Sequence, residues 1–227
     1  MPSSIHELPE LTAKGGVMSE PKSIAATIET VVPGVWRWSV QDDRIGYESD
    51  AHAIASGDRI VLIDPLRLET TVLERLGPVE AICLTAACHQ RAAWHYRRHL
   101  GAKVYAPADT RAMDEEPDVR YRAGDVLPGG LRPIHTPGPE AAHYAFWLPQ
   151  PPGVLFCPDL LSHGAGEALA FMPAEYHEDP ALTRQSVRAL LDLEFAVLCF
   201  DHGVPLLDEP KAALRALLAQ DAGAANR

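Results

Sequence analysis

The order in which this chain alternates its apolar segments constrains its fold more than any single motif. From Glu29, short β-rich runs, "ETVVPGVWRWSV", "DAHAIASG" and "RIVLIDP", are broken by Pro-Gly, Asp-Asp and Gly-Asp turns, as in hairpins. A helix "LETTVLERLG" closed by Gly77, the strand "VEAICLT", a helix from about Arg91 to Leu100 closed by Gly101, and the strand "KVYAP" follow. After a charged stretch, "PADTRAMDEEPDVRYRAGD", read as surface loop, strand patterns resume in "GLRPIHTPG", "AHYAFWLP" and "GVLFCPDLL". The helix "EDPALTRQSVRALLDL", carrying Leu182, Val187, Leu190 and Leu191 inward, the strand "FAVLCF", the loop "DHG" and the helix "EPKAALRALLAQ" complete the chain. Strands, mixed α/β, strands, mixed α/β is an order of two similar halves. It predicts an α/β (α+β) chain in which two sheets pack together with helices outside, a four-layer αββα sandwich.

At 227 residues and 47% hydrophobic, the chain is long enough for one domain with a full core. The expected division is an N-terminal arm over residues 1–28, a single domain over 29–220 and a short tail over 221–227. A formal charge of -11 is poor electrostatics for a phosphate backbone or an anionic lipid surface, so neither nucleic acid nor membrane is an expected partner. Without a bilayer-length apolar run or the basic-then-apolar order of a secretory signal, the expected location is the cytoplasm. Cys83, Cys88, Cys157 and Cys199 form no CxxC pair and suit reduced thiols. A homodimer is the default oligomer for such a chain.

The segment "ICLTAACHQRAAWHYRRHLGAKVYAP" places Thr85, Cys88, His89 and Arg91 in a loop at the carboxyl end of a strand, where αβ proteins keep their chemistry. Asp159 in "VLFCPDLL" and His202 in "LCFDHG" also stand at predicted strand ends. These segments, with "AIASGDRIVLIDP" ending in Asp64 and "YRAGDVLPGGLRPIHTPG", resemble the metallo-β-lactamase superfamily in order and spacing from about Val31 to Leu218. The resemblance implies the αββα fold and a cleft in which one or two metal ions activate water to hydrolyse esters, amides, thioesters or phosphodiesters. It also implies a first ligand loop of the form T-H-x-H-x-D-H. Here that loop reads Thr85, Ala86, Ala87, Cys88, His89, Gln90, Arg91, so all four ligands of the loop are replaced. The histidine that follows "TPG" is replaced by Pro139.

What the family pattern leaves is Asp159 and His202, with Cys88 as a third ligand because a thiolate binds zinc well. His89 and His143 are weaker additions. Three readings stay open. In the first, Asp159, His202 and Cys88 hold one zinc, iron or manganese ion and the protein hydrolyses a small, uncharged ester, thioester or amide. In the second, toward which the sequence leans, no metal is held, and Arg91 pairs with Asp159 in a non-catalytic pocket for a small-molecule ligand. In the third, Cys88 at a helix N-terminus beside His89 and Arg91 has a lowered pKa and acts as a metal-free nucleophile. His95 and His99 read as a solvated helix face, and His163 and His177 as part of a segment covering the cleft.

Overall fold

The structure, a computed structural model, describes residues 20–225. Its larger sheet has seven strands in sequence order: β1 (Glu29–Val32), β2 (Val35–Asp42), β3 (Tyr47–Ser56), β4 (Arg59–Ile63), β5 (Val79–Cys83), β6 (Lys103–Pro107) and β7 (Val119–Tyr121). The first four are antiparallel hairpin strands; from β4 to β7 the pairing is parallel. Parallel neighbours need crossovers. Two of them are the helices α1 (Thr70–Leu76) and α2 (Ala93–Leu100). Strand β4 shows why the sheet is covered on both sides: Ile60 and Leu62 point to the core beneath these helices, Val61 and Ile63 to the core between the sheets.

The smaller sheet runs in the order β13 (Val197–Cys199), β10 (Val154–Phe156), β9 (Tyr144–Leu148), β8 (Arg132–His135), with β10 and β13 parallel. In β10, Val154 and Phe156 face the inter-sheet core while Leu155 faces α3 (Pro180–Leu190) and α4 (Pro210–Ala225). Three apolar cores therefore separate four layers, the αββα order expected from the sequence. A small hairpin, β11 (Leu161–Ser162) with β12 (Ala170–Phe171), projects after β10. Among the described residues no helix is long and apolar enough to cross a membrane.

The structure departs from the expected elements in several places. The charged stretch read as loop contains β7, an edge strand whose Tyr121 is buried and donates its hydroxyl to the Leu84 carbonyl. Helix α3 turns Thr183, Ser186, Val187 and Leu190 inward, and Leu191 packs against the same core as expected, but Leu182 does not, because the helix packs on the backbone at Gly138 and Pro137 as well as on apolar side chains. Helix α4 runs to Ala225 through the expected tail, and Asp221 within it forms an ion pair with Arg184 on α3. Of the arm expected over residues 1–28, residues 1–19 lie outside the described ones. The remainder reaches Ala25, which bridges to Leu68 and joins the outer core.

Candidate functional site

Loops at the carboxyl ends of β4, β5, β10 and β13 meet at one edge of the sandwich, bringing Asp64, Thr85, Cys88, His89, Arg91, Asp159, Asp201 and His202 together. Four non-glycine residues have positive φ among the described ones, and three are here: Asp64 at 44°, Arg91 at 37° and Asp159 at 45°. Each such residue costs roughly 1–3 kcal/mol and persists where the surroundings over-determine it. For Asp64 the surroundings are explicit. Its buried carboxylate accepts from the Thr85 backbone N–H at 2.8 Å and from the Thr85 hydroxyl, which ties β4 to the loop after β5.

That loop opens as a 3-10 turn over Ala87–His89, which directs His89 inward and leaves Cys88 half-buried. The Thr85 hydroxyl, already donating to Asp64, accepts from His89 Nδ1 at 2.8 Å. Nδ1 thus carries a proton, and Nε2 carries the other, donating to the Asp159 Oδ2 carboxylate oxygen at 2.9 Å as an imidazolium does. His202 repeats the pattern: its Nδ1 donates to the Glu48 carbonyl at 3.0 Å, and its Nε2 stands 3.3 Å from the other oxygen of Asp159. Cys88 Sγ is 3.9 Å from Asp159 Oδ2, and the Cys88, His89 and Asp159 donor atoms all lie within 4.8 Å of one another. Burial would raise the Asp159 carboxyl, but the imidazoles of His89 and His202 outweigh it and hold the group well below the usual range. Burial likewise opposes charge on His89, yet Cys88 and the carboxylates of Asp159 and Asp64 raise it well above an ordinary histidine.

Two expectations need correction here. Arg91 does not pair with Asp159. Its left-handed backbone, just after the 3-10 turn, sends the guanidinium to Asp201, with Nη2 2.9 Å from Oδ2, while Nη1 donates to the carbonyls of Asp50 and Asp64. Asp159 is already taken by the two histidines. Nor is Cys88 an activated thiol: burial raises its pKa, and His89 beside it does not reverse the direction. Asp201 itself is pushed up to about 6 by burial that Arg91 and His89 only partly offset, with Asp64 and Asp159 adding repulsion.

Sequence reasoning missed Asp201 and Asp50. Asp50 is fully buried and accepts from Gly203 N–H and Ser39 and pairs with Arg37, so it braces the loop that carries His202. For Asp201 the available signal was a carboxylate following a buried strand in "VLCFD", since a buried charge requires a partner. Glu140 is a second omission: it accepts from Ala87 N–H at 2.8 Å and so caps the turn bearing Cys88 and His89. Gln90, in the place of a family carboxylate ligand, instead ties the loop to Trp94 and Asp114. His177 lies under the site, donating from Nε2 to the Asp159 carbonyl. His143 is buried, anchored at Nδ1 by the Thr136 carbonyl and pushed down to about 4 by burial; its Nε2 has no partner among the described residues. Cys157 belongs to the outer core, and His95 and His99 stack on the surface of α2.

No protein-family model and no curated protein matches the sequence. Solved structures do match the fold. A metallo-β-lactamase from Erythrobacter litoralis is similar with a TM-score of 0.65 and 18% identity, over 86% of this chain and 92% of that one. The metallo-β-lactamase FIM-1 from Pseudomonas aeruginosa, in its mono-zinc form, has a TM-score of 0.66 and 18% identity over 88% and 98%. A metallo-β-lactamase family protein from Thermus thermophilus has a TM-score of 0.61 and 18% identity over 86% and 81%. At TM-scores of 0.61 to 0.66 over most of both chains, with a mixed α/β architecture of two large sheets and four α-helices among the described residues, the chain has the metallo-β-lactamase fold.

Proposed function

We propose that this protein is a metal-dependent hydrolase of the metallo-β-lactamase fold that works with a single ion, acting on a small ester, thioester or amide. The observation that carries this reading is the convergence of two imidazole Nε2 atoms on the two oxygens of Asp159, each imidazole fixed through Nδ1 by the chain. Metal-ligating histidines are oriented in this way by a carboxylate or carbonyl on the other ring nitrogen. Cys88, His89 and Asp159 would hold the ion, with His202 on the far carboxylate oxygen, a thiolate, imidazole and carboxylate set suited to zinc. When bound, such an ion lowers the pKa of its water from ~15.7 to about 7 and polarises a carbonyl.

The second buried cluster, Asp64, His89 and Asp201, has its cation built in, because Arg91 is ion-paired to Asp201. A second ion there would meet a guanidinium at close range, so the residues fit one ion rather than two. The mono-zinc form of FIM-1 is a precedent for one ion in this fold. Against the pocket organised by Arg91 and Asp159 stands the direction of the guanidinium; against a free Cys88 nucleophile stands its raised pKa.

Elemental mass spectrometry on tagless protein, beside Asp159→Ala, tests the reading. About one zinc, iron or manganese per chain is expected in the natural protein and none in the variant. A natural protein that neither carries nor takes up such an ion at stoichiometric level would overturn it.

A further inference from the structure

Two tyrosines from distant parts of the chain meet beside the site. Tyr47, at the start of β3, and Tyr176, in the turn before α3, join through their hydroxyls at 2.9 Å, and both rings are largely exposed. Each is one residue from a group that anchors the site: Glu48, whose carbonyl fixes His202, and His177, which holds the Asp159 backbone. The segments that carry them, residues 45–48 and 174–178, contain Glu48, Glu175 and Glu178, all exposed, and no lysine or arginine.

The arginines bordering the site are already paired, Arg37 with Asp50, Arg91 with Asp201 and Arg111 with Glu140. A divalent ion held by a thiolate and a carboxylate adds no net charge. An incoming carboxylate or phosphate would therefore cross an acidic rim with no unpaired arginine or lysine, among the described residues bordering the site, to meet it, whereas an apolar or aromatic group would find two exposed phenol rings.

We propose that the Tyr47–Tyr176 pair is the selecting edge of this site, which takes uncharged esters or thioesters with an apolar or aromatic acyl group in preference to anionic ones. This rests on the hydrolase reading for turnover, but the selection is testable without it. Cys88 is the one half-buried thiol, Cys83, Cys157 and Cys199 being buried, so its labelling reports entry to the site. In chelator-treated full-length protein at low salt, the rates of Cys88 labelling by iodoacetamide and by iodoacetate are measured by mass spectrometry, with the urea-unfolded chain as reference. The folded protein should favour the neutral reagent more than the unfolded chain does. Glu48→Gln/Glu175→Gln should shrink that excess by about two- to fourfold, the effect of two charges ~10 Å away in water, and Tyr47→Ala/Tyr176→Ala should speed labelling by both reagents. A ratio equal to that of the unfolded chain, or one indifferent to the glutamine pair, overturns the charge selection. Unchanged rates in the alanine pair overturn the role of the tyrosines.

A second arm compares a neutral aryl ester with its carboxylate-bearing counterpart on the protein as purified. Turnover of both at equal kcat/KM sinks the selectivity and leaves the hydrolase reading standing. Turnover of neither sinks the hydrolase reading, while the labelling ratios still decide the selection.

Discussion

A guanidinium buried as deeply as that of Arg91 requires a counter-charge, and Asp201 supplies it at Nη2 while Nη1 donates to two backbone carbonyls; Nε has no partner among the described residues. Arg91→Ala leaves that buried carboxylate with only the more distant His89 imidazole beside it, and a chemical-denaturation curve should report a loss of about 3–5 kcal/mol; an unchanged midpoint would refute the pairing. His52 gives a pH signature of opposite character. Burial first, then Arg37 and Arg91, push it down to about 3, below the 6.5 of an unfolded histidine. Between those values the unfolded chain binds the extra proton, so the stabilising contribution is complete above pH 6.5 and is lost as pH falls toward 3. Melting temperatures at pH 7 and pH 5 should therefore differ less in His52→Gln than in the natural protein. At this scale the sequence was partly legible. Asp159, His202 and Cys88, read from the sequence as lying at strand ends and in the loop after a strand, do meet at one edge of the sandwich. Aligning the loop to a family motif nonetheless drew attention to position 88 over 89, and only the 3-10 turn reveals that His89 is the inward residue.

Elements position these residues through close backbone approaches. Gly138 has φ of 143°, and a Cβ there would sit 2.6 Å from the Thr183 backbone. Gly138→Ala should cost about 2–4 kcal/mol from combined strain and overpacking. Because Thr183 holds His177, which holds the Asp159 carbonyl, the variant should also lose metal content, a readout that a remote defect would not move. Helix α3 starts at Asp179, whose carboxylate accepts from Ala181 and Leu182 N–H groups; Asp179→Ala should lower stability by about 1 kcal/mol with metal content intact. The boundaries of strands and helices were readable where apolar period and Gly or Pro stops coincide, as at Gly77 and Gly101. Strand β7 was not, since an edge strand buries little and its sequence, rich in charge, looks like loop.

Across the whole molecule the site stitches the two sheets together. Cys88 and His89 follow a strand of the larger sheet, Asp159 and His202 strands of the smaller, and Asp201 reaches back to Arg91. An ion bound across that junction should stabilise the domain as a unit. At a free concentration of about 100 Kd the linkage is ~2.7 kcal/mol, so chelation should lower a single melting transition by roughly 5–10 °C. Two separate transitions, or no shift in a metal-replete sample, would contradict this. The four-layer architecture was legible because it follows from the order of periodic segments. The pairing across the sheets was not, because nothing local in the chain says which buried aspartate an arginine will meet. That pairing has a consequence for the protein in a cell. A metal ion has a dissociation constant and a supply; a guanidinium bonded to its own backbone has neither. The charge opposite Asp201 is constitutive, so on the one-ion reading proposed above metal starvation would change only the Asp159 side of the site, leaving the Arg91–Asp201 half in place for reloading.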